Sequence, residues 1–146
     1  MDYRKLTAPC GIDCFNCEVF GDNITPELQA MIAPHMGAEP SQVKCDGCRE
    51  SGCLVLPEGA CPTKKCIDDK GVEFCFECDE FPCRKLQPCL DGAAKYPQNF
   101  KLFNLCRIQK VGVEKWATEE SARIRARYKV GKIVVAGGPL LEDDDE

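Results

Sequence analysis

The sequence predicts a small α+β protein: an irregular, metal-stapled, Cys-rich module of zinc-knuckle-like turns and short helices, followed by a C-terminal helical segment. Three observations predict it. Eleven of the thirteen cysteines fall between Cys10 and Cys83, in small sets with ligand-like spacing. Over the same stretch Gly, Pro and charged residues separate the apolar positions, so hydrophobic burial alone is too thin to fold it. After residue 92 the pattern changes to apolar residues at helical spacing. The expected organisation is a metal-binding module over 1–90, a helical extension packed on it over 91–138, and an acidic, disordered tail over 139–146.

The elements follow in chain order. Cys10, Cys14 and Cys17 form C-x3-C-x2-C and lead into a mixed turn ending near Phe20. Thr25-Pro26-Glu27 starts a helix, with a hydroxyl cap, Pro at the first helical position and an acid in the first turn. Leu28, Met31 and Ile32 form its expected inward face, and Pro34 and Gly37 end it within about three turns. A connector over 38–44 reaches Cys45, Cys48 and Cys53, a C-x2-C-x4-C unit. Gly47 inside that unit suits a turn whose backbone N–H groups point at sulfur. Cys61 and Cys66 come next. Cys75, Cys78 and Cys83 then repeat the C-x2-C-x4-C spacing thirty residues after the first copy. Pro82 opens a short helix that carries Cys83, Leu86 and Leu90 on one side.

The remaining third is predicted helical. Residues 99–108 place Phe100, Phe103, Leu105 and Ile108 toward a core, with Cys106 buried among them. Val111-Gly112 breaks the helix. A second runs from about Val113 to Tyr128 with Val113, Trp116, Ala117 and Ile124 aligned. Residues 132–136 form a short strand bounded by Gly131 and Gly137-Gly138-Pro139.

The chemistry lies in the sulfurs. A C-x2-C turn offers two thiolates to one ion, which is half of a tetrahedral site. The N-terminus lacks the apolar run of a signal peptide, and no stretch approaches the eighteen or so apolar residues of a membrane span. A cytoplasmic location follows as the expectation. In that reducing compartment these cysteines are ligands rather than disulfides, and their odd total agrees. The candidate metal ligands are Cys10, Cys14, Cys17, Cys45, Cys48, Cys53, Cys61, Cys66, Cys75, Cys78 and Cys83. Two zinc ions use eight of them, and a third would recruit His35, Cys89 or Cys106. Spacing leaves open which sulfurs share an ion. The net charge of −5 falls further with each four-thiolate site, which disfavours unspecific nucleic-acid binding.

The runs Cys10-Gly11-Ile12-Asp13-Cys14-Phe15-Asn16-Cys17, Cys45-Asp46-Gly47-Cys48 and Cys61-Pro62-Thr63-Lys64-Lys65-Cys66 also carry a resemblance. With Cys75-Phe76-Glu77-Cys78-Asp79-Glu80-Phe81-Pro82-Cys83, they resemble the cysteine-rich microbial family known as domain of unknown function 3795, over about residues 9–90. The resemblance implies a small cytoplasmic protein that binds zinc through these cysteines, and it implies no reaction. Cys89 and Cys106 lie outside the pattern.

Other chemistries compete. Cys10-x3-Cys14-x2-Cys17 has the spacing of a radical S-adenosylmethionine cluster, but Asn16 stands where that family places an aromatic residue. An iron–sulfur electron carrier is the main rival, although ferredoxin spacing is absent. A thiol enzyme using Cys53 or Cys89 has no visible base, and redox sensing through zinc release is the remaining alternative. Asp13, Glu18, Asp46, Glu77, Asp79 and Glu80 lie near cysteines, where carboxylates accept backbone hydrogen bonds in turns. Arg123, Arg125, Arg127, Lys129 and Lys132 form a basic cluster that suits an acidic partner or a solvated helix face. No Walker loop, G-x-S-x-G or HExxH motif is present. The sequence therefore leans toward an interaction or regulatory module over an enzyme, with another protein as its expected partner.

Overall fold

Proline and glycine punctuate the chain into short pieces, and the computed structural model shows those pieces to be mostly helical. It describes residues 1–139 apart from 51, 55 and 58. Helix α1 spans Pro26–Met36. The Thr25 hydroxyl accepts from the Leu28 amide at 3.3 Å, as its cap position requires. The inward face is turned by one residue from expectation: Ala33 is buried, whereas Met31 is exposed. The small Ala side chain lets the helix approach, and Gln29 Nε2 donates to the Val43 carbonyl at 3.1 Å.

Helix α2, Pro62–Lys70, was not among the expected elements. Its signals are present nonetheless: Pro at the first position, Lys in the last turn and Gly just beyond. Lys64–Asp68 and Lys65–Asp69 pair along its outer face at i, i+4. The helix expected after Pro82 is only a 3₁₀ turn, Arg84–Leu86, with Leu86 buried and Leu90 exposed. Pro88 stops propagation there, since it lacks the amide a longer helix would need.

The C-terminal part contains α3 (Lys101–Val111) and α4 (Val113–Lys115). A π-helical turn, Trp116–Glu120, and α5 (Ser121–Val130) continue it. Gly112 makes the expected break between α3 and α4. Phe100, Leu105 and Ile108 face inward, but Phe103 and Cys106 are exposed. Residues 103 and 106 lie one turn apart on the outer face of α3, so both leave the core together. Strands β1 (Ile133–Val134) and β2 (Gly138–Pro139) pair antiparallel, and they are the only strands among the described residues. The β part of the expected α+β class is thus reduced to this hairpin. Ile133 and Val135 stay exposed, so nothing packs on it to extend the pairing. The acidic tail beyond residue 139 lies outside the described residues.

One core runs through both halves of the chain. It joins Ala8 and Ile12 from the first cysteine loop, Ile67 from α2, and Phe74 and Leu86 from the stretch after it. Phe100, Leu105, Ile108, Val113, Trp116 and Ala117 complete it. Phe15 bridges the two halves, packing edge-on against Tyr3 at 5.0 Å and Trp116 at 6.1 Å between ring centroids. Arg49, next to Cys48, lies 4.8 Å from the centre of the Phe74 ring. It also donates to the Thr7 and Glu73 carbonyls at 2.8 and 3.1 Å. A single side chain thereby ties the second cysteine set to the first and the last. Among the described residues, no helix is long and apolar enough to cross a membrane.

Candidate metal centre

The first cysteine loop is a tight hairpin-like turn. Thr7 and Asp13 form an antiparallel bridge, and the Ala8 amide donates to the Ile12 carbonyl at 2.8 Å. Gly11, with φ +88°, sits against α3: an added Cβ would lie 2.8 Å from the Lys101 carbonyl oxygen. Only glycine fits there without displacing backbone. Asn104 Nδ2 donates to the Gly11 carbonyl at 2.7 Å and secures the contact.

Asp13, expected to serve as a turn acceptor, has a larger part. It is fully buried and receives a fork from Arg125: Nε at 3.0 and 3.1 Å, Nη2 at 2.7 Å. Arg125 Nη2 also donates to the Asp13 carbonyl at 3.3 Å, and Nη1 donates to Glu18 at 3.2 Å. Burial works against the guanidinium charge, but the hydrogen bonds and charge of Asp13 outweigh it and hold Arg125 above its ordinary pKa. Asn16 Nδ2 adds bonds of 3.0 Å to both Asp13 and Ser121. The basic cluster is therefore not one open face, because Arg125 points inward and Lys129 pairs with Glu18.

Two groups of sulfurs emerge. In the first, a parallel bridge between Phe20 and Cys45 brings the second set beside the first. The Cys48 thiol donates to Cys14, which draws Cys14 down to about 7 and pushes Cys48 up. Burial raises Cys17 and Cys45, with each other's neighbourhood shared through Cys14. Gly47, between Cys45 and Cys48, has φ +97°, and a Cβ there would come 3.4 Å from the Phe20 ring and 3.9 Å from Cys14 Cβ.

The second group, Cys66, Cys75, Cys78 and Cys83, lines a cavity of about 20 Å³ together with Thr63, Ile67, Val72 and Phe81 and the side chains of Lys70, Glu80 and Lys85. That is room for one small ion or water. Helix α2 supplies Cys66, the 3₁₀ turn Cys75–Glu77 aims the C-x2-C pair, and the chain returns through Phe81 with Cys83. Burial first, then the sulfurs of Cys10, Cys83, Cys66 and Cys78, push the Cys75 thiol up to about 12. Cys10 lies between the groups. It neighbours Cys14 and Cys61, the Cys75 amide donates to the adjacent Pro9 carbonyl at 3.0 Å, and burial raises its pKa.

The backbone amides of Ile12, Val19 and Gly47 favour ionisation of the cysteine two residues before each, Cys10, Cys17 and Cys45, against the burial that raises them. The Glu80 amide donates to the Cys78 sulfur at 3.4 Å. Such amides stabilise a thiolate, and a soft divalent ion would do so further. Four cysteines in each group match the donor type and number that a four-thiolate ion takes. Among the described residues, no three Cys, His, Asp or Glu side chains stand close enough to enclose an ion as they are. The sulfurs surround a space without closing on it. Rotating a cysteine to another staggered well costs on the order of 1 kcal/mol, against roughly 10 kcal/mol from a structural zinc ion.

Cys53 neighbours Cys45 and Cys48. His35 is exposed in the last turn of α1, and Cys89 and Cys106 are exposed. All thirteen cysteines are free thiols. The residue that spacing did not reveal is Arg125, which carries only the signal of a basic residue in a helix.

A family model described as protein of unknown function (DUF3795) matches residues 6–88. No curated protein and no solved structure matches the chain.

Proposed function

The chain belongs to the family described as protein of unknown function (DUF3795), and from that premise we propose that it is a cytoplasmic zinc-binding protein whose cysteine centres are structural and whose surface serves as an interaction module for another protein. The observation that supports this reading is a small cavity with Cys66, Cys75, Cys78 and Cys83 all among its lining residues, the number and kind of donors that a four-thiolate zinc site takes. Cys14, Cys17, Cys45 and Cys48 supply the second set, brought side by side by the Phe20–Cys45 bridge. Cys10, Cys53 and Cys61 remain as neighbouring thiols. A zinc ion held by four thiolates supplies cross-linking rather than a reactive water, because no coordination position is open. The chain's own residues do the rest. Asp13 and Arg125 fix the first loop, and backbone amides spread the charge of the sulfurs.

The test is metal content. Protein purified without oxygen is expected to be colourless and to hold about two zinc ions per chain, lost on substitution of Cys78 or Cys48 by Ser. Brown protein with iron and acid-labile sulfide would overturn the reading in favour of an iron–sulfur carrier.

A further inference from the structure

Asn99, Phe103, Cys106 and Lys110 fall at i, i+4, i+7 and i+11, one stripe along the outer face of α3 and the 3₁₀ turn before it, Pro97–Phe100. At the start of the stripe the Asn99 side chain grips the backbone of Cys89, accepting its amide at 3.0 Å and donating to its carbonyl at 2.8 Å. Leu90 is thereby set beside the stripe. The loop that follows is fixed from within and from α5. The Lys95 and Tyr96 amides donate to the Gly92 carbonyl, and Gln98 donates to the Asp91 carbonyl at 2.6 Å. The Tyr128 hydroxyl contacts the Ala93 and Tyr96 carbonyls at 2.8 and 2.9 Å. Yet Leu90 is 92% exposed, Phe103 55% and Tyr96 51%. One exposed apolar side chain needs no account, but three held outward on adjoining ordered backbone mark a contact face.

Charge says what this face fits. Residues 84–110 hold six basic residues and one acidic, which leaves a net −10 on the rest of a chain whose total is −5. Glu120 takes Arg107. Arg84, Lys85, Lys95 and Lys110 are exposed and have no ion-pair partner among the described residues. Apolar side chains ringed by free ammonium groups complement acids interspersed with apolar anchors. A phosphate backbone suits the face less: the remaining negative charge repels it at long range, and Leu90 offers no ring for a base to stack on.

We propose that Leu90, Tyr96, Phe103 and Lys110 form a docking face for an acidic segment of another protein that brings apolar anchors. This rests on the interaction-module reading above and names its surface. Because the loop is already ordered, binding costs little reorganisation.

The experiment follows the amide NMR signals of the full-length protein as a short peptide of Asp and Glu with two leucines one helical turn apart is added to about 1 mM. Shifts should centre on Leu90, Tyr96 and Phe103. Leu90→Ser and Lys110→Glu, both at exposed positions, should each weaken binding about three- to tenfold. A peptide with Lys in place of the acids should reach this face only in a Lys95→Glu/Lys110→Glu variant. No shift at all, or shifts centred on other elements, would overturn the proposal, and the second result would leave an interaction module standing elsewhere. A zinc-free sample that still binds at this face would support the proposal and overturn the metal reading. Three results would hand the face to another occupant and overturn it. They are tighter binding of a single-stranded oligonucleotide at the same residues, concentration-dependent shifts there in the free protein, and shifts there when the chain is ended after residue 139.

Discussion

At the scale of single residues, the decisive contact is a charge pair removed from water. Asp13 is fully buried and Arg125 nearly so, and the guanidinium meets both carboxylate oxygens and the adjacent carbonyl. Such a pair contributes little net stability compared with a well-packed apolar pair, but removing one partner strands the other. Replacing Arg125 by Met should therefore cost about 3–5 kcal/mol, read as a lowered urea midpoint with an unchanged m-value. Nothing comparable is expected at Lys129, whose partner Glu18 is half-exposed. Asp13 was readable in the sequence only as a turn residue because its partner is 112 positions away. Spacing rules act within a few residues, whereas a buried ion pair is fixed by tertiary approach.

At the scale of elements, α3 is held against the π-helical turn by a second fork. Arg107 Nε and Nη2 donate to Glu120 at 2.7 and 2.5 Å. The Arg107 hydrogen bonds hold the Glu120 carboxyl below its ordinary range. A carboxyl depressed on folding contributes stability that is present above its unfolded pKa, about 4.3, and lost as pH falls through the folded value. Arg107→Gln should lower stability at neutral pH and converge on the parent protein in acid, which flattens the acid limb of a urea-derived stability-versus-pH profile. Where an element carries its own end signals, the sequence made it legible. Thr25-Pro26 placed α1 and Gly112 separated α3 from α4. Helix α2 carries equally good marks in Pro62 and Gly71, but Cys61 at its cap and Cys66 within it give the same stretch a ligand-like spacing. The faces were less legible: Met31, Phe103 and Cys106 are apolar yet exposed, because hydrophobicity alone does not tell which stripe meets a neighbour. The two sulfur groups were half visible. Repeated C-x2-C units marked the ligands, while the partition between groups depends on the Phe20–Cys45 bridge and on α2, neither of which spacing encodes.

At the scale of the whole molecule, the family-matched segment ends at residue 88, yet the core does not. Phe100, Leu105, Ile108, Val113 and Trp116 fill the space beneath the first cysteine loop. A fragment of residues 1–90 would expose the surface they cover and lose the Asn104 and Arg125 anchors. It should give no cooperative melting transition even with excess zinc, whereas a chain ending after residue 132 should melt cooperatively. Calorimetry of the two decides this, and a sharp transition in the short fragment would show that metal alone can close the module.

The clamp between Asp13 and Arg125 also has a consequence for the order of events at the ribosome. Cys66, Cys75, Cys78 and Cys83 lie within eighteen positions of one another and can gather as soon as that stretch emerges. The loop of Cys10, Cys14 and Cys17 precedes those cysteines in the chain but is anchored later, because Arg125 stands 112 positions beyond Asp13. Until α5 has emerged, the sulfurs of that loop lack the contact that fixes it.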